Sequence, residues 1–189
     1  MIRAGLLALM LGGPVAAAET PKEIKVTEAV PVPAGETVSP IARATIFVRN
    51  QAESLKLYRD ILGLKPYIDN LVEGEEINRI QGTRGVSLKA AILQSGDTIS
   101  GNLGIYEILN GPPAAPVTDT RTHVLTGDYA VVFYTENLDE LADKITRAGY
   151  RIVSPPIVLF HDPKKTRQSR EMLFFDADGM LVNLIEQGK

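Results

Sequence analysis

Few residues in this chain can do chemistry, and their types narrow the choice. It has no cysteine, which removes thiol nucleophiles and disulfides together. No G-x-S-x-G elbow, Walker loop or dinucleotide fingerprint occurs. The two histidines, His123 and His161, lie in polar surroundings, where a lone imidazole reads as structural or solvated. Asp176 and Asp178 form a carboxylate pair, but Asp176-Ala177-Asp178-Gly179 is turn chemistry ahead of a last strand. What is left is a set of polar groups placed singly in apolar runs: Arg43, Thr45, Glu107, Tyr134 and Asn183. An arginine oriented by a glutamate suits a ligand carboxylate or enolate, and a phenol can donate to it. The plainer reading makes Arg43 and Glu107 an internal ion pair and Tyr134 a core aromatic.

A duplicated unit must position these groups. Phe47–Gly63 and Phe133–Gly149 each run from strand to capped helix to glycine stop. Asn50 with Glu53, and Asn137 with Glu140, have the spacing of a capping box. Ala52, Leu55, Tyr58 and Leu62 form the expected buried stripe of the first helix, and Leu138, Leu141, Ile145 and Ala148 that of the second. Gly63 and Gly149 end them. Strand-like segments follow at 64–68, 86–94 and 103–109, then at 150–154, 157–160, 171–175 and 180–185. Each half therefore reads β-α-β-β-β, and residues 70–85 read as a short helix or a lid. Period-2 alternation puts Arg43, Thr45 and Phe47 on one face, Ala130, Val132 and Tyr134 on its counterpart, and Ile105-Glu107-Leu109 opposite Leu181-Asn183-Ile185. That face is greasy with a few polar exceptions, the usual composition of a small-molecule pocket.

Bulk properties bound the partners. Of 189 residues, 44% are hydrophobic and 23% charged, an ordinary globular balance. The net charge of −3, with no basic stripe, argues against nucleic acid. The cluster Lys164, Lys165, Arg167, Arg170 reads as a solvated loop. Residues 1–18 have the form of a signal peptide: Arg3, an apolar run too short to span a bilayer, then Ala16-Ala17-Ala18. The chain is expected to be periplasmic or secreted, with no membrane anchor after cleavage. The predicted organisation is an arm at 19–40, a first module at 41–110, a linker at 111–123 marked by Gly111-Pro112-Pro113, and a second module at 124–189.

Arg43–Asn50 followed by Ser54-Leu55-x-x-Tyr58-Arg59-Asp60-x-Leu62-Gly63-Leu64, and Phe174-Phe175-Asp176-Ala177-Asp178-Gly179 running on to Leu184, resemble the vicinal oxygen chelate superfamily. That group includes glyoxalase-like, bleomycin-resistance and dioxygenase proteins, and the resemblance covers about 41–187. It implies an α+β fold of two tandem βαβββ modules whose curved mixed sheets enclose a shared cleft. In metal-dependent members, ligands stand on the first and last strands of a module. The resemblance puts those positions on Arg43 and Glu107, and on Ala130 and Asn183, of which only Glu107 is a good ligand. The first reading is thus an exported protein binding a small, partly apolar, anionic or carbonyl-bearing molecule, with no cofactor expected. The alternatives are a metal-dependent lyase, isomerase or dioxygenase using Glu107, and a non-catalytic interaction module. A homodimer is compatible with the sequence.

Overall fold

The computed structural model describes residues 28–161 and 164–187; the expected signal peptide at 1–18 and the expected arm up to residue 27 lie outside the described residues. The first module runs β1 (Arg43–Phe47), α1 (Gln51–Leu55), β2 (Lys65–Val72), α2 (Glu75–Gln81), β3 (Ser87–Gln94) and β4 (Asn102–Leu109). The second runs β5 (Ala130–Tyr134), α3 (Leu138–Arg147), β6 (Arg151–Phe160), β7 (Gln168–Phe175) and β8 (Leu181–Gln187). Each module is a four-stranded mixed sheet, ordered β1-β4-β3-β2 and β5-β8-β7-β6, that curves without closing. The first strand of each module pairs in parallel with its last, and the remaining pairs are antiparallel. No helix among the described residues is long and apolar enough to cross a membrane.

Local sequence accounts for most of these elements. The Asn50 side chain accepts from the Glu53 N–H and starts α1, and Gly63, at φ +77°, turns the chain away after it. Beyond Leu55 the helix widens into a π-helical stretch, Lys56–Ile61, in which Leu62 N–H bonds Leu57 O. Of the expected stripe, Tyr58 is in the core and Leu55 and Leu62 pack partly buried against it. Gln51, Ser54, Leu57 and Tyr58 are buried, while Ala52 is exposed. In α3 the inward residues are Leu138, Ala142 and Ile145, and Ala148 is exposed. Asn137 makes no side-chain cap.

Three strands differ from the sequence expectation. The expected strand 64–68 extends to Val72, and a short helix, α2, occupies 75–81 of the segment read as helix or lid. The expected strands 150–154 and 157–160 are one strand, β6, in spite of Pro155 and Pro156. β6 is an edge strand, and its register slips between Ser154 and Ile157, so neither proline interrupts a two-sided ladder. β7 starts at Gln168, which makes Arg170 part of a strand. There it ion-pairs with Asp139 and Glu186 and leaves the expected basic loop.

One apolar core joins the modules. Leu57, Tyr58, Leu93 and Ile105 from the first pack with Leu138, Ile145, Met172, Phe174 and Leu184 from the second. A polar latch reinforces it from the turn after β7. The Tyr58 hydroxyl donates to Asp176 Oδ2 at 2.7 Å, and Ser54 Oγ donates to Asp178 Oδ2 at 3.0 Å. Arg49 donates its backbone N–H and Nε to Asp178 Oδ1, both at 2.9 Å. Asp176 Oδ1 also accepts the N–H groups of Asp178 and Met180, the hairpin chemistry expected of this sequence.

Candidate functional site

The sheet registers decide which polar residues share a face. Ile46 pairs with Ile105, and both point into the core. Alternation then sends Glu107 to the helix side and Tyr106 to the side of Arg43, Thr45 and Phe47. This corrects the expectation that Glu107 faces the cleft. It also removes the Arg43–Glu107 pair, because Arg43 lies beside Asn102, at the opposite end of the β1–β4 ladder. Glu107 Oε2 instead accepts the Gln51 N–H at 2.9 Å, at the first turn of α1. Glu186 Oε1 accepts the Leu138 N–H at the start of α3 in the same way, at 3.2 Å. Each last strand thus sends a glutamate to a helix N-terminus, where a carboxylate meets free N–H groups and the positive end of the helix dipole. We expect Glu107→Ala to lower stability by about 1 kcal/mol, the usual effect of a lost cap, and to leave ligand affinity unchanged, as read from a chemical melt beside a titration.

Matching Glu107 with Glu186 makes Gly104 the counterpart of Asn183, and the Gly104 position explains how Arg43 lies. A Cβ on Gly104 would come within 2.9 Å of Thr45 Oγ1 and 3.2 Å of Arg43 Cδ, so its absence lets both side chains cross β4 closely. Arg43 Nε donates to Thr45 Oγ1 at 3.0 Å, and its guanidinium sits 5.5 Å from the centre of the Tyr106 ring. Among the described residues no carboxylate pairs with it. Tyr134 shares the cleft face of β5 but is 68% exposed and is not a core aromatic.

The resemblance gives the metal-ligand positions to Arg43 and Glu107 and to Ala130 and Asn183; with Glu107 turned to the helix side and Gly104 the counterpart of Asn183, the groups left on the cleft face are Arg43, Gly104, Ala130 and Asn183. Together they offer one neutral amide oxygen and no imidazole or carboxylate, and that donor set does not fit a divalent ion. Among the described residues no three His, Asp or Glu side chains come together to hold a metal.

An apolar cleft of about 390 Å³ lies over the second sheet, lined by Ala130 of β5, Ile157 and Leu159 of β6, Leu173 of β7, and Leu181 and Asn183 of β8. Val124 and Asp128, from the segment between the modules, form its roof. Of the five residues singled out in the sequence, only Asn183 lines it. Asn183 Nδ2 gives one hydrogen to Met172 O at 3.1 Å, and its other hydrogen has no acceptor among the described residues. Ser154, Asp128 and Glu171 are the remaining polar lining. A smaller, more polar groove of about 240 Å³ between Phe47 and Tyr129 also touches Asp128 and Leu181, so the two spaces adjoin at the module boundary.

The roof is clamped in place. Arg121 Nη2 donates to Asp128 Oδ1 at 2.6 Å and Arg121 also pairs with Asp119. The Arg121 hydrogen bond, helped by the Leu125 N–H, holds the Asp128 carboxyl down to about 2, so Asp128 stays ionised and paired at any ordinary pH. Arg151 lies 3.7 Å and Arg121 5.0 Å from the centre of the Phe175 ring, and Arg151 Nη1 donates to Arg121 O. With Asp128 paired to Arg121, Glu171 is the charge of the lining that has no ion pair among the described residues. Sequence reasoning missed Glu171, Asp128 and Arg121. Glu171 and Leu173 alternate with buried Met172 and Phe174, a period-2 signal that could have flagged Glu171 as cleft-facing.

Two open βαβββ sheets joined by one core define the class of protein, and residues 40–184 match the Glyoxalase/Bleomycin resistance protein/Dioxygenase superfamily. The chain belongs to that superfamily. A glyoxalase family protein from Bacillus cereus superposes with a TM-score of 0.67 at 20% identity, over 84% of this chain and 100% of that one. A glyoxalase/dioxygenase from Nostoc punctiforme gives 0.53 at 18%, over 86% and 100%. A glyoxylase/bleomycin resistance protein/dioxygenase domain from Frankia sp. gives 0.51 at 18%, over 80% and 100%. At such identities the likeness is one of fold. No curated protein matches the sequence.

Proposed function

We propose that this chain is an exported small-molecule-binding member of the superfamily, working without a catalytic metal and holding a partly apolar, carbonyl-bearing ligand over its second sheet. The observation that carries this reading is the apolar cleft whose cleft-facing amide, Asn183, has a hydrogen free for a carbonyl oxygen. Between the anionic and the carbonyl-bearing ligand expected from sequence, the lining favours the neutral one. Its unpaired charge is the Glu171 carboxylate, and Arg43 is not part of it. Metal independence is supported by the donor set on the first and last strands, and export by the form of residues 1–18.

One preparation tests the three parts. The native protein is isolated from the periplasmic fraction of its host, its intact mass is measured, and whatever elutes with it is identified after denaturation. The expected result is a chain beginning at or near Glu19, a neutral carbonyl compound, and no transition metal in stoichiometric amount. Asn183→Ala should weaken binding of that compound by about 0.5–1.5 kcal/mol, the net worth of one hydrogen bond. An intact Met1 in the cytoplasm would remove the export proposal. About one Fe, Zn, Ni or Mn per chain would favour the metal-dependent reading.

A further inference from the structure

Glu171 does not stand alone on the cleft face of β7. Its Oε1 accepts from Ser169 Oγ at 2.9 Å, and Ser169 Oγ lies 2.9 Å from His161 Nε2. Ser169 is 3% exposed, whereas His161 is exposed at the end of β6, its backbone N–H bonded to Arg167 O at 2.8 Å. A serine hydroxyl has one hydrogen, and here the carboxylate takes it. The hydrogen between Ser169 and His161 must therefore sit on Nε2, which fixes the donor and acceptor at both links. The three groups form a directed chain, Nε2–H to Oγ–H to Oε1, from solvent to the cleft. Glu171 Oε2 has no partner among the described residues.

We infer that Glu171 is a proton-transferring residue for an enolisable carbonyl compound in the second-module cleft, connected to solvent by His161 through the Ser169 hydroxyl. The inference rests on the carbonyl-ligand reading above. Glu171 pairs with Ile185 across the β7–β8 ladder, so Asn183 is its diagonal neighbour on the same face. Diagonal neighbours stand about 7–8 Å apart. That span fits a Cα–C=O unit with its α-hydrogen toward the carboxylate and its oxygen toward the Asn183 N–H, each contact being about 3 Å. Glu171 takes the α-proton, the C–H pair becomes the C=C bond, and the carbonyl π pair moves to oxygen as an enolate. Exposed His161 exchanges its Nε2 hydrogen through solvent for one on Nδ1, and the Glu171 proton then passes to Ser169 Oγ as the Ser169 hydrogen passes to the vacated Nε2. Return of a solvent proton along the same chain to carbon restores the ketone, with no change in oxidation state.

The test is deuterium exchange into phenylacetone, a neutral enolisable ketone with an apolar ring, followed by proton NMR in D2O with the full chain. Binding is read separately from saturable shifts of backbone amide signals. The expected result is exchange well above the buffer rate that falls by about 100-fold or more in Glu171→Gln, the scale of a lost general base, and is partly recovered in Glu171→Asp. His161→Ala, an exposed change that leaves the fold intact, should slow exchange while phenylacetone still binds, and added imidazole should restore the rate. Ser169→Ala should slow it beyond the reach of imidazole. Phenylacetone that binds but exchanges no faster than with Glu171→Gln would overturn the proton-transfer role and leave the binding reading standing. Absence of binding would overturn both. Wild-type rates in His161→Ala and Ser169→Ala would overturn the route to solvent.

Discussion

Asp176→Ala should lower stability by roughly 3 kcal/mol or more, a larger effect than any loss of its side-chain volume would give. The buried carboxylate accepts from the Tyr58 hydroxyl and from the N–H groups of Asp178 and Met180, and its removal orphans all three donors. Each buried unsatisfied donor costs about 1–3 kcal/mol. In a chain of this size the melting temperature should fall by about 2–4 °C per kcal/mol. Tyr58→Phe should have a smaller effect, and the double variant should be less than additive, because the two groups contact each other. Burial, and then the Asp176 charge, push the Tyr58 phenol far up, so it acts as donor throughout the working range. Burial also pushes the Asp176 carboxyl above its ordinary value, and the Tyr58 hydroxyl and the turn N–H groups only partly offset this. A carboxyl raised on folding contributes stability below its unfolded value of about 4 that is lost as pH rises through the folded value. Asp176→Asn should abolish that component, which a series of melts from pH 4 upward would show. An unchanged pH dependence in Asp176→Asn would reject the assignment.

Phe175→Ala should cost roughly 3–5 kcal/mol, as large-to-small changes at fully buried aromatics do. Phe175 is 1% exposed, and its ring lies against the guanidinium groups of both Arg151 and Arg121. The ring therefore supports the arginine that holds Asp128 and, through it, the cleft roof. Phe175→Leu, which keeps most of the volume but none of the ring face, separates the two effects. It should fold, and it should lose ligand affinity because Arg121 no longer has its seat. A Phe175→Leu protein that binds as the wild type does would show that the roof stands without the ring.

The elements that obey local rules could be read from the chain before any coordinates. Asn50 and Gly63 bracket α1, and Asp176–Gly179 build a turn, because caps and hairpins depend on residues next to one another. The cleft-facing role of Asn183 was also legible, since period 2 suffices once a strand is placed. Glu107 was misassigned for a physical reason: alternation gives two faces but not which is which, and a register error of one residue exchanges them. Aligning Glu107 with Glu186, the last glutamate of each final strand, would have avoided it. The roof was not legible at all. Arg121 and Arg151 meet on Phe175 only after β7 has placed the ring, and no spacing in the sequence encodes a contact among three separate segments.

Pro155 and Pro156 have an effect outside the molecule. An open sheet ends in a strand whose outer N–H and C=O groups can template a strand from another chain. β6 is such a margin, ten residues long and with Ile157, Val158 and Phe160 exposed, the composition that invites intermolecular stacking. Two consecutive imide nitrogens and a slipped register break its outer row of donors in mid-course. The irregularity that hid β6 as a single strand in the sequence is thus a safeguard of solubility, keeping a greasy border from growing into a larger sheet.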